Sequence, residues 1–534
     1  MIPELLLLYF AEMSEKELLV LALVCRAWSL VALDLFWSTN YVSISMLAGR
    51  LFYSRQIPAR RSRRIFKDLR LGKSSQDPRA SWDIHPDDWS YFLDIAQKIT
   101  RLRLPMIPDR GFTDKLLEEI ESRGNMIFPQ LTSLYIDLDS FFGTEWSPIL
   151  SLVLTPIIET LDIVGTIDDM DLVNTVVLQA TSIAKRIHNF GVSGPFLPPL
   201  LQPPSDKFQQ LTILRLHRFV PEVLHEISHL PNLVELYFES YQLSAENRLL
   251  LADDITLPAL EILSFNGDVT TPYLRIHILI DVVMPRLRTL ILRPYLEWEY
   301  DDPDGIRLLE ERSPLLERVD VGLGPGPGPN VWSLASLTTC LAQLTQLREI
   351  KIETHRSSIV LCDRHITWFV EHLPLLESLV LDPRDAEDPM AFPWKALMGF
   401  TAFPTVLKHL DIPLNLSTIG EVYPSPLPPP GHKTTSTLRS FRAQPLTLSG
   451  KHVKHAARFL GRWCPNVKDL DLQLKFVNVV KPSRAKRFEE AFWTELASYS
   501  NGIALIRVLQ RRELAEVGIP FNSNWSAPQK HRPL

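Results

Sequence analysis

The chain has 534 residues, 46% of them hydrophobic and 22% charged, with a net charge of −6 and four cysteines. That balance excludes wholesale disorder and a molecule built as a whole to attract nucleic acid or acidic membranes. Four scattered cysteines exclude a disulfide framework and suit a reducing compartment, the cytoplasm or nucleus.

The chain opens on MIPELLLLYFAEMSEKELLVLALVCRAW, an apolar stretch interrupted by Glu4 and without the basic start of a secretion signal. Pro3 suits the first turn of a helix, expected to run to about Met13. Ser14 and Glu17 have the spacing of a capping box, in which each side chain bonds the other residue's backbone amide. A second helix is then expected to carry Leu18, Leu21, Ala22, Cys25 and Trp28 along roughly one face.

This string resembles an F-box, in the form common in fungal proteins. The family pattern maps without gaps onto Pro3-Glu4-Leu5-Leu6, Tyr9-Phe10, Glu17-Leu18 and Val24-Cys25-Arg26-Ala27-Trp28, followed by Phe36-Trp37. Met1-Ile2 in place of Leu-Pro, and Tyr9 in place of an aliphatic residue, are departures. The resemblance covers residues 1–45. It implies docking to a Skp-type adaptor that bridges to a cullin and its RING subunit, by burial of helical anchors in a groove. The anchors it implies are Pro3, Leu5, Leu6, Phe10, Leu18, Leu21 and Trp28. The same spacing also suits the internal core of a helical cap, and periodicity alone does not separate the two.

Residues 46–94 read as a basic linker and helical connector. Eight basic residues lie between Arg55 and Lys73, a solvated linker or, alternatively, an import signal or anion-binding patch.

From residue 95 to 480 one pattern recurs: apolar, two others, apolar, one other, apolar. Clear copies start at Leu131, Ile158, Leu211, Leu233, Leu260, Leu287, Leu316, Leu347, Leu376, Leu407 and Val467, and weaker ones at Ile99, Ile187 and Leu438. The mean spacing is about 28 residues, inside the range of about 20–29 for leucine-rich repeats. Proline fixes the phase, at 42 residues about 8% of the chain against an average near 5%. Pro129, Pro156, Pro231, Pro258, Pro285, Pro314, Pro374 and Pro465 each lie two residues before a copy. Proline ends a helix and fits a turn or strand entry.

Between copies the apolar spacing is helical, as at Val453, Ala456, Ala457 and Leu460, at Leu224, Ile227 and Leu230, and at Ile366, Phe369, Val370 and Leu373. Stacked strand-and-helix units share one core. CPNVKDLDL from Cys464 is similar to the Cys-containing repeats that accompany F-box domains. The expected fold is therefore α/β: a small helical F-box followed by a leucine-rich-repeat solenoid, with parallel strands on the concave face and helices or loops on the convex face. Residues 481–519 (Phe488, Ala491, Phe492, Leu496) read as a helical cap and 520–534 as a flexible tail.

No chemistry assembles from the sequence. GLGPGPGPN (322–330) lacks the Lys-Ser/Thr of a phosphate loop and its prolines remove amides; YPSPLPPPGHKTTS (423–436) is a second Pro-rich insertion. Cys362 with His365, and His452 with His455, have ligand-like spacing but no matching second pair, so no metal is expected. GVSG (191–194) lacks the full Gly-x-Ser-x-Gly of a hydrolase. The apolar segments 149–165 and 274–284 are too interrupted or too short to cross a membrane.

The resemblance thus implies a non-catalytic substrate receptor of a cullin-RING ubiquitin ligase, with no cofactor and no nucleic-acid or membrane partner; a non-ligase scaffold is the alternative. The substrate-binding row expected on the strands is Tyr135, Asp162, Arg215, Tyr237, Ser264, Asp320, Lys351, Asp411 and Asp471. It mixes charge and aromatics and names no substrate class.

Overall fold

The computed structural model describes residues 6, 9–11, 13–22, 24–43, 47, 86–104, 127–138, 150, 153–165, 170–193, 208–219, 224, 225, 227–241, 255–266, 282–293, 309–323, 341, 344–355, 368, 369, 371–384, 392–394, 397, 406–417, 419, 438–463, 467, 469–477 and 482–497. Two compact units divide the chain, Met1–Leu260 and Glu261–Leu534.

The first unit holds helices α1 (Glu15–Leu21), α2 (Arg26–Thr39), α3 (Pro86–Ala96) and α4 (Met170–Ile183). Its strands are β1 (Val42–Ser43), β2 (Arg101–Leu104), β3 (Ser133–Asp137), β4 (Thr160–Val164), β5 (Asn189–Ser193), β6 (Ile213–Phe219), β7 (Glu235–Tyr241) and β8 (Ile255–Thr256). Strands β1 to β7 pair in sequence order, all parallel.

The second unit holds β9 (Ile262–Phe265), β10 (Val282–Val283), β11 (Thr289–Leu292), β12 (Arg318–Leu323), β13 (Glu349–His355), β14 (Ser378–Arg384), β15 (Phe392–Pro393), β16 (His409–Asp411), β17 (Leu414–Asn415), β18 (Ser440–Ser449) and β19 (Asp469–Val477). Helices α5 (Val453–Trp463) and α6 (Pro482–Ala497) complete it. The main ladder runs β9, β11, β12, β13, β14, β16, β18, β19, again all parallel. The architecture is a parallel β-solenoid.

Every copy of the repeat holds a strand that begins two residues after its first apolar position. The three apolar positions of a copy turn inward, as in Leu131, Leu134 and Ile136 or Leu347, Ile350 and Ile352, all buried. Burying each such side chain stabilises the fold by about 1.5–3 kcal/mol. In seven copies the phased proline takes the second position of a four-residue turn. The residue before it accepts a backbone hydrogen bond from the copy's first apolar residue, for example Leu131 N to Phe128 O at 3.2 Å and Leu287 N to Met284 O at 3.1 Å. Proline presets the φ that this position needs. Copies without proline close the same turn, as in Leu211 N to Phe208 O at 3.0 Å. The proline therefore marks the corner before the strand.

Among the described residues, helices α3, α4 and α5 stand between ladder strands. Val453, Ala456, Ala457 and Leu460 on α5 are buried, as the spacing implies. Leu224, Ile227, Leu230, Phe369 and Leu373 are buried too. Within the segment expected as a cap (481–519), α6 covers Pro482–Ala497, buries Phe492 and Leu496 and pairs Glu495 with Arg458 of α5 at 2.6 Å; residues 498–519 lie outside the described residues.

Ser14 caps α1 as the sequence implies, with both halves of the box formed. The Ser14 hydrogen bonds hold the Glu17 carboxyl below its usual range. The expected single second helix is instead two. Backbone at Cys25 is extended, with φ −158° and ψ 164°, and Cys25 becomes the N-cap of α2. Trp28 thus belongs to a new helix and packs edge-on against Phe10, with ring centroids 5.5 Å apart.

The helical module is joined directly to the ladder. Strand β1 follows α2 and pairs with β2, Val42 opposite Leu102. Thr100 Oγ1 donates to Ser38 O at 2.5 Å, Tyr41 Oη bonds Ser133 Oγ at 2.7 Å, and Lys98 pairs with Asp34 at 2.6 Å. Pro3, Leu5, the basic run Arg55–Lys73, the 423–436 insertion, Cys362, His365, Cys464 and the 520–534 tail lie outside the described residues.

Candidate functional site

Alternation along a strand places every second residue on one face, and parallel pairing in a constant phase lines up the same position of successive copies. Register confirms this alignment in each unit. In the first, Arg103, Tyr135, Asp162, Gly191, Arg215 and Tyr237 are consecutive Cα partners across β2 to β7. In the second, Ser264, Ile291, Asp320, Lys351, Val380, Asp411, Arg442 and Asp471 are consecutive across β9 to β19. All nine expected row residues lie in these two lines.

The first row is built from arginine and tyrosine. Arg103 stacks over Tyr135 at 4.6 Å and reaches Asp137 at 3.8 Å. Arg215 stacks over Tyr237 at 5.6 Å, donates to Asn189 Oδ1 at 2.7 Å and approaches Asp162 at 3.6 Å. Tyr237 Oη donates to Glu235 at 2.7 Å, and His217 faces Glu239 at 3.3 Å. Burial raises the Asp162 carboxyl; Arg215 opposes the shift and Glu239 adds to it. Burial also raises the Tyr135 phenol. Tyrosine and arginine, with tryptophan, are enriched among the residues that carry most of the energy at protein interfaces.

The second row carries three carboxylates, Asp320, Asp411 and Asp471, and two cations, Lys351 and Arg442. Lys351 pairs with Glu353 on its own strand. Arg442 is shared by Asp411 at 3.6 Å and Asp471 at 3.3 Å. Burial pushes the Asp411 carboxyl up to about 7; Arg442 works against this, and Asp382 and Asp471 add to it. Ser264 and Asp320 are in register but fully buried, so they offer no surface to a partner. Asp320 Oδ2 faces Arg293 at 3.4 Å, while Asp320 Oδ1 and Ser264 Oγ have no hydrogen-bond partner among the described residues.

In the helical module the expected anchors divide. Leu6, Phe10 and Leu18 are 5%, 0% and 3% exposed and form the module's own core. Leu21 and Trp28 are half-buried. The exposed apolar residues are instead Tyr9, Val20 and Val24, at 64%, 63% and 57%. Sequence reasoning missed Val20 and Val24 because helical spacing marks the inward face. It also passed over Arg103, Gly191 and Arg442, which sit in the three weaker copies.

Among the described residues no group of three or more His, Cys, Asp and Glu could hold a metal ion, and no helix is long and apolar enough to cross a membrane. The His452 and His455 rings lie 6.2 Å apart on or beside α5. No protein-family model matches the chain, and no curated protein matches it.

Proposed function

We propose that the chain is an F-box-type substrate receptor of a cullin-RING ubiquitin ligase, its helical module docking a Skp-type adaptor and its leucine-rich-repeat-like strands holding a protein substrate. The observation that carries this reading is the coupling between the two parts. A capped helical module with three exposed apolar residues is fixed to the strand ladder through β1 and the Thr100, Tyr41 and Lys98 bonds. Such a receptor acts by position, raising the concentration of substrate lysines near a ubiquitin-loaded enzyme on another subunit. A rigid joint serves that purpose, and no reacting side chain is required of this chain.

Buried Leu6, Phe10 and Leu18 then support the docking face, and Tyr9, Val20 and Val24 with half-buried Leu21 and Trp28 present it. Affinity capture of the full chain from cells tests the reading. The expected result is co-purification of adaptor and cullin, with loss of both from the Val20→Asp/Val24→Asp variant. Adaptor without cullin is the outcome for a non-ligase scaffold. Capture of neither removes the F-box assignment.

A further inference from the structure

Across the first ladder the row reads Tyr135, Asp162, Gly191, Arg215, Tyr237. Asp162 and Arg215 are two strands apart, about 10 Å at ladder spacing. They approach because the residue between them has no side chain: a Cβ on Gly191 would collide with the Asp162 carboxylate. The pair nevertheless stays at 3.6 Å, too long for a hydrogen bond. Arg215 spends one N–H on Asn189 and keeps others open. Asp162 accepts no side-chain hydrogen bond among the described residues.

The carboxylates around the pair are engaged elsewhere: Asp137 with Arg103, Glu235 with Tyr237 and Glu239 with His217. What stays open is an acceptor and a set of donors with no net charge, in a row where Tyr135 lies next to Asp162 and Tyr237 next to Arg215. A cation is drawn to Asp162 and repelled by Arg215, and an anion the reverse. A primary amide suits both, its NH2 donating to Asp162 and its carbonyl accepting from Arg215.

We propose that the Asp162–Arg215 pair over Gly191 reads a glutamine or asparagine side chain of a protein segment laid across the first unit's strand face. The inference rests on the reading that this face binds a protein substrate, and not on the ligase assignment. Burial already costs the Asp162 carboxylate hydration, so a ligand N–H restores a bond that folding removed.

The test exposes the full chain to immobilised short random peptides whose central residue is fixed as Gln, Glu, Lys or Leu. Retention on the Gln set is expected to exceed the other three by roughly tenfold, the order of one charge-assisted hydrogen bond. Asp162→Asn leaves Arg215 alone and moves the preference to Glu. Arg215→Met leaves Asp162 alone and moves it to Lys. A merely structural pair would lower retention on all sets together, and thermal melts check that each variant is folded. Equal retention on all four sets, or variants with the wild-type preference, overturns the inference. If that retention still falls in Tyr135→Ala and Tyr237→Ala, the strand face remains a protein-binding surface. Retention on no set removes both.

Discussion

The two units build the same backbone with different side chains. At eleven strand entries, two successive amides share one carbonyl of the preceding copy. Thr132 and Ser133 both donate to Thr100 O at 2.9 Å in the first unit, and Glu317 and Arg318 to Arg288 O at 2.9 and 2.8 Å in the second. The first unit decorates this rung with threonines that repeat the bond, Thr132 Oγ1 to Thr100 O at 3.2 Å and Thr212 Oγ1 to His188 O at 3.1 Å. The second alternates charge along the same line: Glu261, Arg288, Glu317, Arg348, Glu377, Lys408. Its ion pairs are Arg288–Glu317 at 2.8 Å, Arg348–Glu377 at 2.9 Å and Lys408–Glu377 at 2.5 Å. The backbone ladder and apolar core set the fold, and the surface position is free to be tuned by hydrogen bonds or by Coulombic pairing.

If the ladders are equivalent, core truncations should cost the same in either. Leu214→Ala and Ile350→Ala, both at the second apolar position and both buried, are each expected to cost about 2–5 kcal/mol. Hydrogen exchange should show the loss concentrated in the unit that carries the change. A loss spread evenly over residues of both units would mean that they unfold as one.

Titration probes the second row. Burial raises the folded pKa of Asp411 from the ordinary carboxylate range to about 7. Its contribution is therefore fully present below the unfolded pKa and is lost as pH rises toward 7. Asp411→Asn should melt progressively higher than wild type as pH goes from 5 to 8, by an amount worth at most a few kcal/mol. Melting curves whose separation does not change with pH would show that the carboxylate is not strained by its surroundings.

The smallest effects lie at the strand entries. Thr132→Val should cost about 0.5–1.5 kcal/mol, with little response to salt. Glu377→Gln removes both of its cation pairs and should cost less than about 1 kcal/mol, mostly gone in high salt. Bonds from Lys408 first, then Arg348, hold the Glu377 carboxyl below its usual range. Denaturant melts of both variants at low and high salt measure the difference. A salt response from Thr132→Val, or none from Glu377→Gln, would erase the distinction between the units.

Much of this was legible in the residues, because the repeat and its prolines fix a phase, and a phase fixes both the strand start and the face. Tyr135, Asp162, Arg215 and Tyr237 could be aligned from sequence for that reason. Partners within the row were not legible. The Asp162–Arg215 approach depends on Gly191, whose contribution is a missing side chain, and the Arg442 bridge depends on which strands neighbour one another. The boundary at Leu260 falls inside the copy LEILSF and leaves no mark on the pattern. In the helical module, spacing identified an apolar face but not its direction, so Leu6 and Phe10 read as anchors where burial makes them core.

The most direct test of the account is size-exclusion chromatography of the purified full chain with a purified Skp-type adaptor. Co-elution is expected for wild type and for Asp162→Asn, whose change lies on the strand face. It is expected to be lost for Val20→Asp/Val24→Asp, whose exposed sites should leave the fold within about 0.5 kcal/mol of wild type per substitution. An adaptor that ignores the wild-type chain, or that binds the double variant equally well, would contradict it.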